Sequence, residues 1–385
     1  MDTTGRHTRF QKRTHAVLAT LAGPFLRRLY HFRYPEDNAP DGPFLLVANH
    51  VTAADPVLLA LALKKHMLYF VASEHLMQKG LGSKILRFLY DPIVRRKGDT
   101  AVTTVKEMLK TLKDGRNVGV FPEGTCSYDG TNPPFLPTIG KLARTARCAL
   151  VTYRFEGGYF TLPRWGRGIR RGEYYGHIVN VYPPDALRAM NEAEINAHIG
   201  EDLCENAYTR IAQRPVAYKS RHRAEYLESS FFLCPNCRGV GTIRTSGDRI
   251  ACGCGLCASL DEHYALHGMP FATLPEWDAA ELAWLETAAA EPDFAFSDEA
   301  VTLWENDDAH RKTKLCTGTM RMTREGLSVG ERAFALSEIS NMELVRRNLL
   351  VFSTHDAHYQ AKGDDRLNSR KYMLLYRIWK GATNQ

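Results

Sequence analysis

Short apolar segments that alternate with a helical pattern constrain the fold of this chain most strongly. Phe44–Ala48 is a continuous apolar run, which is typical of a buried strand. A helix is predicted over Thr100–Asp114, where apolar residues recur at helical spacing and Gly115 supplies the stop. Further strands are predicted at Leu68–Ala72, Val118–Phe121 and Ala149–Arg154. This alternation predicts an α/β domain.

Polar residues follow two of the predicted strands. His50 comes soon after the first strand, and Asp55 lies five residues further on. A histidine can accept a proton from a hydroxyl near neutral pH, and a nearby aspartate can hold the imidazole in the required tautomer. In the alternative interpretation Asp55 caps a helix and His50 is an ordinary loop residue. The two interpretations are compatible, because a capping carboxylate can also orient a histidine. Glu123 also follows a strand, and functional groups of open α/β sheets gather at such loops.

Four segments of the chain together resemble the sequence motifs of the glycerophospholipid acyltransferases, of the lysophosphatidic acid acyltransferase type. In chain order they are Asn49-His50 with Asp55, Ile93–Arg96, Phe121–Thr125 with Ser127, and Ala149–Thr152. Two positions depart from the motifs. Cys126 stands where the third motif usually has arginine, and Thr152 stands where the fourth usually has proline. The first departure leaves the identity of the acceptor open.

The resemblance implies an acyltransferase-type mixed sheet flanked by helices, and an enzyme of phospholipid synthesis. The expected reaction moves a fatty acyl group from a thioester to the free hydroxyl of lysophosphatidic acid, which is 1-acylglycerol-3-phosphate. The co-substrate is acyl-CoA or an acyl-carrier protein. Glycerol-3-phosphate or another lysolipid is the alternative acceptor. The acyl chain length and the oligomeric state do not follow from the sequence.

The resemblance also implies roles for individual residues. His50 is expected to be the general base, and Asp55 is expected to orient it. Arg96 is expected to pair with the phosphate of the acceptor. The residues expected to line the acceptor site are Glu123, Gly124 and Thr125. Because nothing in the sequence indicates that Cys126 is activated, we expect direct transfer without a covalent intermediate.

The N-terminal segment is strongly basic in a chain whose net charge is +7. Between Thr3 and Pro35 there are seven Lys or Arg residues and no Asp or Glu. Apolar residues that can share a helix face here are Val17, Leu18, Leu21, Phe25 and Leu29. This pattern predicts an amphipathic helix on an anionic membrane surface. The alternative is a helix packed on its own domain. No nucleic acid is expected as a partner, because aromatic residues do not interleave with the charges.

Five of the nine cysteines lie between Cys234 and Cys257, which is typical of a metal site and not of a disulfide framework. Four thiolates satisfy tetrahedral zinc, so a structural zinc site is predicted. Cys234 and Cys237 form its first half. A Cys-x2-Cys pattern would complete it with Cys254 and Cys257. Resemblance to the zinc ribbons appended to some bacterial members of the family instead implies Cys252 and Cys254, and we favour this set.

The cysteines and the hydropathy of the chain together predict the cellular location of the protein. Free thiols indicate a reducing compartment. No apolar run approaches the ~18 residues that a membrane-spanning helix requires. With the basic N-terminal segment, these features predict a cytoplasmic protein that binds peripherally to the cytoplasmic face of the membrane.

The chain is predicted to contain five parts. They are a membrane-surface helix (1–35), the acyltransferase domain (36–220), a zinc ribbon (230–262), a helical connector (263–308) and a small β module with a C-terminal helix (309–385). Successive short strands followed by a helix over Asn368–Lys380 resemble a pleckstrin-homology-like module in element order. The alternative to an enzyme is a non-enzymatic adaptor, in which the ribbon and the β module bind lipid or nucleic acid.

Overall fold

The chain forms two compact units in the computed structural model. The structure describes residues 3–73, 88–95, 101–307, 311–345, 347–355 and 357–381. The first unit comprises Met1–Pro163 and Arg171–Val216, and the second comprises Arg164–Arg170 and Ala217–Gln385. All five tryptophans therefore belong to the second unit.

A seven-stranded mixed sheet forms the centre of the first unit. Its strands are β1 (Phe32–Arg33), β2 (Phe44–Ala48), β3 (Leu68–Ser73), β4 (Ile93–Arg95), β5 (Asn117–Val120), β6 (Ala149–Glu156) and β7 (Tyr174–Tyr182). They are ordered β1-β7-β6-β2-β5-β3-β4, and only the β6–β7 pair is antiparallel. The predicted α/β fold with a mixed sheet is confirmed, as are the four predicted strands.

Helices cover both faces of this sheet. They are α1 (Thr3–Tyr30), α2 (Asp55–Ala62), α3 (Ala101–Lys113), α4 (Thr138–Ala146), α5 (Gly158–Thr161), α6 (Pro184–Ala189), α7 (Glu192–Leu203) and α8 (Ala207–Gln213). The helix predicted over Thr100–Asp114 is α3. Gly115 follows it with a φ of +76°, a left-handed conformation that glycine adopts without steric strain.

The apolar run of β2 is explained by burial on both sides of the sheet. Leu46 and Ala48 face a core that includes residues of α2, whereas Leu45 and Val47 face a second core that includes residues of α3, α4 and α7. Successive side chains of a strand point to opposite faces, so a strand covered on both faces has apolar residues at every position. This burial places β2 in the middle of the unit and fixes the position of the loop that follows it.

Helix α1 packs on the first unit through one face only. On that face His15 is buried, and its Nε2 lies 3.3 Å from the carbonyl oxygen of Leu63. The opposite face exposes apolar side chains, namely Phe10, Val17, Leu18, Leu21, Phe25 and Leu29. Leu21 and Phe25 are 74% and 66% exposed. The first face agrees with the interpretation of a helix packed on its own domain, and the prediction of membrane binding stays a prediction about the second face. No helix within the described ranges is long and apolar enough to cross a membrane.

The second unit contains two antiparallel sheets. The first has the order β11-β10-β9-β8, with β8 (Ile243–Ser246), β9 (Arg249–Cys252), β10 (Cys257–Leu260) and β11 (Leu266–His267). Helix α9 (Leu274–Ala288) follows and begins with a capping box formed by Thr273 and Glu276. The second sheet contains β12 (Phe296–Asn306), β13 (Lys312–Met322), β14 (Gly326–Val329), β15 (Arg332–Ala335), β16 (Asn341–Val345), β17 (Leu349–Ser353) and β18 (His358–Lys362), and α10 (Ser369–Trp379) ends the unit.

Among its described residues, the segment predicted as a helical connector, 263–308, is helical only over α9. It also contains β12, which lies between β13 and β18 in the second sheet of the second unit. The pairing of β12 with β13 shifts register between Asp298 and Val301, and Ala300 within this bulge has a φ of +56°. A bulge interrupts the two-residue alternation by which a strand is recognised in a sequence. The β module therefore begins earlier than predicted.

Candidate active site

The candidate site lies where two neighbouring parallel strands end. In the pairing of β2 with β5, Val47 is opposite Val120, so both chains leave the sheet at the same edge. His50 follows β2 and Glu123 follows β5. The carboxyl ends of parallel strands are where open α/β sheets place functional side chains. The sheet thus brings together two residues that are 73 positions apart in the chain.

Asn49 fixes the backbone from which His50 projects. Its side chain is buried and forms two hydrogen bonds with the backbone of Phe155 on β6. The amide Nδ2 donates to the Phe155 carbonyl at 2.9 Å, and the Phe155 N–H donates to Oδ1 at 2.7 Å. This paired contact ties the end of β2 to β6, so His50 starts from a rigid position.

Asp55 orients the imidazole of His50 and is itself completely buried. Its Oδ2 lies 2.9 Å from His50 Nδ1. The same oxygen accepts hydrogen bonds from the backbone N–H groups of Val51 at 2.7 Å and Thr52 at 3.0 Å. Oδ1 accepts from the hydroxyls of Thr52 at 2.6 Å and of Tyr174. Every contact favours a carboxylate, which accepts hydrogen bonds but donates none.

The structure agrees only in part with the interpretation of Asp55 as the cap of helix α2. Helix α2 begins at Asp55, and Ala54 occupies the N-cap position without a side-chain capping bond. The carboxylate instead turns back toward the loop that carries His50. Asp55 therefore stands in the first helical turn, where its charge suits the helix dipole, while its oxygens organise the preceding loop.

Glu123 joins the two loops of the site. Its Oε2 accepts from the backbone N–H of His50 at 3.0 Å, and its Oε1 accepts from Asn132 Nδ2 at 2.6 Å. Burial raises the pKa of Glu123 to about 7, although the hydrogen bonds from His50 and Asn132 oppose this shift. Glu123 also borders a cavity of about 320 Å³, whose other lining residues are Asn132, Pro133, Pro134, Phe135, Gly200, Leu203 and Cys204.

The loop after β5 turns sharply at Gly124. The N–H of Gly124 donates to the carbonyl of Phe121 at 3.2 Å, and its φ of +67° is a left-handed conformation that favours glycine. Thr125 follows and is half-buried. The N–H of Ser127 then donates to the carbonyl of His50 at 3.1 Å, which brings the loop back to the histidine.

Cys126 is in direct contact with the second nitrogen of His50. Its Sγ lies 3.5 Å from His50 Nε2. Burial of the ring lowers the pKa of His50, but the electrostatic and hydrogen-bonding interactions with Cys126 and Asp55 outweigh it and raise the pKa to about 10. The imidazole is therefore held between a carboxylate and a sulfur atom.

The structure brings together most of the residues that the sequence predicts for this site. His50, Asp55 and Glu123 meet, and Gly124 and Thr125 lie in the same loop as Glu123. Arg96 lies outside the described residues. Sequence reasoning missed Tyr174, which contacts Asp55 from 119 positions away, and a single tyrosine in a strand gives no signal at that separation. It also missed Asn132, although its place just after the Glu123 motif is a signal.

Four cysteines of the second unit form a separate candidate metal centre. The Sγ atoms of Cys234, Cys237, Cys252 and Cys254 all lie within 4.8 Å of one another. Two of the distances are 3.7 Å, between Cys234 and Cys254, and 3.8 Å, between Cys237 and Cys252. A tetrahedron with sulfur atoms about 2.3 Å from zinc has edges of about 3.8 Å, so these residues fit zinc. Cys257 is not part of this group.

Part of the first unit is similar to a known protein family. Residues 31–156 match the family model described as Acyltransferase, and this range contains the sheet edge with His50, Asp55 and Glu123. A 1-acyl-sn-glycerol-3-phosphate acyltransferase from Bacillus subtilis (strain 168) is 25% identical over 126 residues, which is 32% of this chain and 61% of that protein. The chain thus spans about three fifths of that relative's length.

A solved structure is similar over part of the chain. It is the crystal structure of the 1-acyl-sn-glycerophosphate (LPA) acyltransferase PlsC from Thermotoga maritima, which has 20% sequence identity and a TM-score of 0.43. The match covers 53% of this chain and 80% of that one.

The hydrogen bonds of Asp55 predict different stabilities for two substitutions. Asp55→Ala removes the acceptor from two buried backbone N–H groups and two hydroxyls, so the free energy of unfolding of the first unit should fall by about 3–5 kcal/mol. Asp55→Asn should lower the free energy of unfolding by less than half as much. Its carbonyl oxygen can keep the backbone donors, and the hydroxyls of Thr52 and Tyr174 can rotate to accept from its amide.

Urea unfolding followed by far-ultraviolet circular dichroism measures this difference. Tryptophan fluorescence monitors the second unit in the same titration, because all five tryptophans belong to it. Equal destabilisation by the two substitutions, or none by either, would contradict the role of Asp55 as the organiser of the loop.

Proposed function

We propose that this protein is an acyltransferase that moves a fatty acyl group from a thioester to the free hydroxyl of 1-acylglycerol-3-phosphate. The observation that carries the proposal is the His50–Asp55 pair at the sheet edge, inside the region that matches the acyltransferase model. A fixed imidazole beside a buried carboxylate is suited to moving a proton between an alcohol and a leaving group.

In this proposal the neutral form of His50 accepts the proton of the acceptor hydroxyl as its oxygen attacks the thioester carbonyl. Because the pKa of the ring is raised to about 10, this form and the rate should both increase as the pH rises from neutral toward that value. Asp55 holds the ring and stabilises the imidazolium that forms. Proton transfer of this kind typically contributes ~10²–10⁴-fold to the rate, and positioning of the substrates supplies the remainder. The proton then passes to the departing thiolate of acyl-CoA or acyl-carrier protein.

The acceptor is proposed to lie beside the Glu123 loop. Glu123 is occupied by His50 and Asn132, so it positions the loop and does not contact a phosphate directly. The largely apolar cavity next to it suits a segment of an alkyl chain. Gly124 and Thr125 are proposed to border the acceptor, and Arg96 is proposed to pair with its phosphate.

A different acceptor is the second candidate. Cys126 stands in the Glu123 loop at the position where the motif that it resembles has arginine, and its sulfur contacts His50. One cation fewer beside the acceptor favours a substrate with less charge at that point. This difference favours other lysolipids, whose phosphate carries a further head group and therefore less charge. Glycerol-3-phosphate has the same phosphate monoester as 1-acylglycerol-3-phosphate and stays an alternative acceptor for the same chemistry.

We also propose that the protein works at a membrane surface on the cytoplasmic side. The exposed apolar face of α1 carries six large side chains, and basic residues flank them. Apolar groups inserted at the lipid boundary and cations beside anionic head groups both favour such binding. A lipid acceptor would then reach the enzyme without leaving the bilayer.

Replacement of His50 tests the proposed chemistry. His50→Ala should lower acyl transfer from acyl-CoA by about 10²-fold or more, because the group that moves the proton is lost. Mass spectrometry of lipid products measures transfer to lysophosphatidic acid, glycerol-3-phosphate and other lysolipids in parallel. His66→Ala is the matched control, because His66 Nδ1 makes a similar contact with Asp37 at 3.0 Å outside the site. Transfer by His50→Ala within a few fold of wild type would exclude His50 as the base.

The exposed face of α1 predicts membrane binding. Substitution of both Leu21 and Phe25 by Glu should weaken binding to vesicles of phosphatidylcholine and phosphatidylglycerol by at least about 100-fold, since each buried side chain contributes about 1.5–3 kcal/mol. Cosedimentation at moderate salt measures the binding. Val102→Glu is the control, because Val102 is 57% exposed on another helix. An equal loss of vesicle binding in the double variant and in Val102→Glu would argue against the exposed face of α1 as a specific membrane-binding surface.

The cysteine group predicts a structural zinc ion. Cys234→Ser should lower the zinc content and the melting temperature of the second unit, because a closed four-thiolate site contributes directly to folding. Cys257→Ser should keep the zinc, because Cys257 lies outside the group. Elemental analysis of the purified proteins and tryptophan fluorescence measure the two effects. Loss of zinc from Cys257→Ser alone would instead support the set with Cys254 and Cys257.

A further inference from the structure

The phenol of Tyr174 is buried against the carboxylate of Asp55. Tyr174 is the first residue of β7, its side chain has no exposure to solvent, and its hydroxyl donates a hydrogen bond to Asp55 Oδ1. The hydroxyl oxygen also lies 3.3 Å from Thr52 Oγ1. Burial raises the pKa of Tyr174 well above its ordinary value of 10.0, so the hydroxyl keeps its proton and stays a donor at the pH of an assay.

The two oxygens of Asp55 serve different partners. Oδ2 faces His50 Nδ1 and the N–H groups of Val51 and Thr52, whereas Oδ1 accepts from the hydroxyls of Thr52 and Tyr174. The loop donors therefore orient the carboxylate even without Tyr174. Tyr174 adds a second hydroxyl on the oxygen opposite the one that contacts His50. Such a bond stabilises the charge of the whole carboxylate, which weakens its attraction for the proton of a neighbouring group.

The ring of Tyr174 is held in place by several elements of the first unit. Phe32 on β1 and Phe155 on β6 pack on it, with ring centroids 5.2 Å and 5.8 Å away. Gly158, the first residue of α5, leaves room for the end of the ring. A methyl group on Gly158 would lie 2.6 Å from the Cζ atom and 2.8 Å from the hydroxyl oxygen, which is too close for either contact. Packing thus fixes the phenol with its hydroxyl on Asp55.

Ionisable groups from two other elements face His50. Asp55 at the start of α2 contacts Nδ1, and Cys126 in the loop after β5 contacts Nε2. Glu123 in the same loop accepts from the backbone N–H of His50. Burial lowers the pKa of His50, but Cys126 and Asp55 raise it to about 10. Because a base with this pKa is mostly protonated at neutral pH, an interaction that loosens its proton favours the proposed reaction.

We propose that Tyr174 is a positioning residue that acts on His50 through Asp55, because its hydroxyl shares the charge of the carboxylate and so limits how tightly Asp55 holds the imidazolium. This inference rests on the proposed acyltransferase function, in which the neutral ring is the base. Without the hydroxyl, Asp55 would hold the ring proton more strongly, and less neutral ring would be present at neutral pH. Tyr174 is buried, so its loss should change kcat and not KM.

Tyr174→Phe tests the inference, because it removes the hydroxyl and keeps the ring. In proton NMR at neutral pH, the signal of the His50 Nδ1 proton should move to lower field as its hydrogen bond to Asp55 strengthens. The pKa of His50 should rise by about one pH unit, which reduces the neutral ring about tenfold. The kcat for transfer from palmitoyl-CoA to lysophosphatidic acid should fall by about three- to tenfold, since a stronger base recovers part of this loss.

The pKa is measured by nitrogen-15 NMR in the wild type and in a Cys126→Ala background. Removal of Cys126 takes away one of the two contacts that raise the pKa, so the ring should titrate at a lower pH, where the protein is easier to study. Adding Tyr174→Phe to this background should again raise the pKa of His50.

Tyr153→Phe is the matched control. Tyr153 is a buried tyrosine of the same core, and its ring also packs on Phe155, with centroids 5.0 Å apart. Among the described residues its hydroxyl has no hydrogen-bond partner. Burial raises the pKa of Tyr153 well above its ordinary value, so the hydroxyl is uncharged. This substitution should leave the His50 signal, kcat and KM unchanged.

Gly158→Ala disturbs the same hydroxyl from another element. The added methyl group pushes the end of the Tyr174 ring away from its place, so the hydroxyl should leave Asp55. The His50 signal and kcat should then change in the same direction as in Tyr174→Phe. Circular dichroism verifies that each variant is folded.

The outcomes separate this inference from the proposed function. A His50 signal that is unchanged or moves to higher field in folded Tyr174→Phe would overturn the inference and leave the acyltransferase in place. An equal loss of kcat in Tyr174→Phe and Tyr153→Phe would also overturn it. If the wild type transfers no acyl group from palmitoyl-CoA or palmitoyl-acyl-carrier protein to any tested acceptor, the proposed function fails. A His50 signal that moves to lower field in Tyr174→Phe would still support the action of Tyr174 through Asp55.

Discussion

The buried carboxylate of Asp55 is the interaction on which the candidate site depends. It has no exposure to solvent, so its charge must be balanced by donors within the protein. His50, Thr52, Val51 and Tyr174 provide them. The side chain of Asp55 thus organises the loop that carries His50 and orients its imidazole, while the same residue begins helix α2. A carboxylate held in this way cannot move without leaving several buried donors unpaired, so the imidazole that it orients is held as firmly.

The sheet explains how residues distant in the chain meet at this carboxylate. Strands β2 and β5 are adjacent and parallel, so the loops that follow them emerge together. Asn49 ties the first loop to β6, and Glu123 ties the second loop to the first. Tyr174 reaches Asp55 from β7. The site is therefore attached to several strands of one sheet, which is the rigid support that precise proton transfer requires.

The sequence was sufficient for those features that depend on local pattern. Continuous apolar runs identify β2 and its neighbours because the sheet is buried on both faces, and strand ends identify His50 and Glu123 as partners. Features that depend on the folded loop were not predictable. Tyr174 is separated from Asp55 by 119 positions, and the contact of Cys126 with His50 depends on how Ser127 closes the loop. Strand β12 escaped prediction because its bulge breaks the two-residue alternation.

Nitrogen-15 NMR of the His50 ring measures directly which ring nitrogen carries the proton and at what pH the ring titrates. The contacts with Asp55 and Cys126 predict a proton that stays on Nδ1 across the pH range, a pKa of His50 near 10 in the wild type, and a lower pKa in Cys126→Ala. A ring that titrates near the ordinary value of 6.5 in both proteins, or that carries its neutral-state proton on Nε2, would show that the carboxylate and the thiol do not hold the histidine.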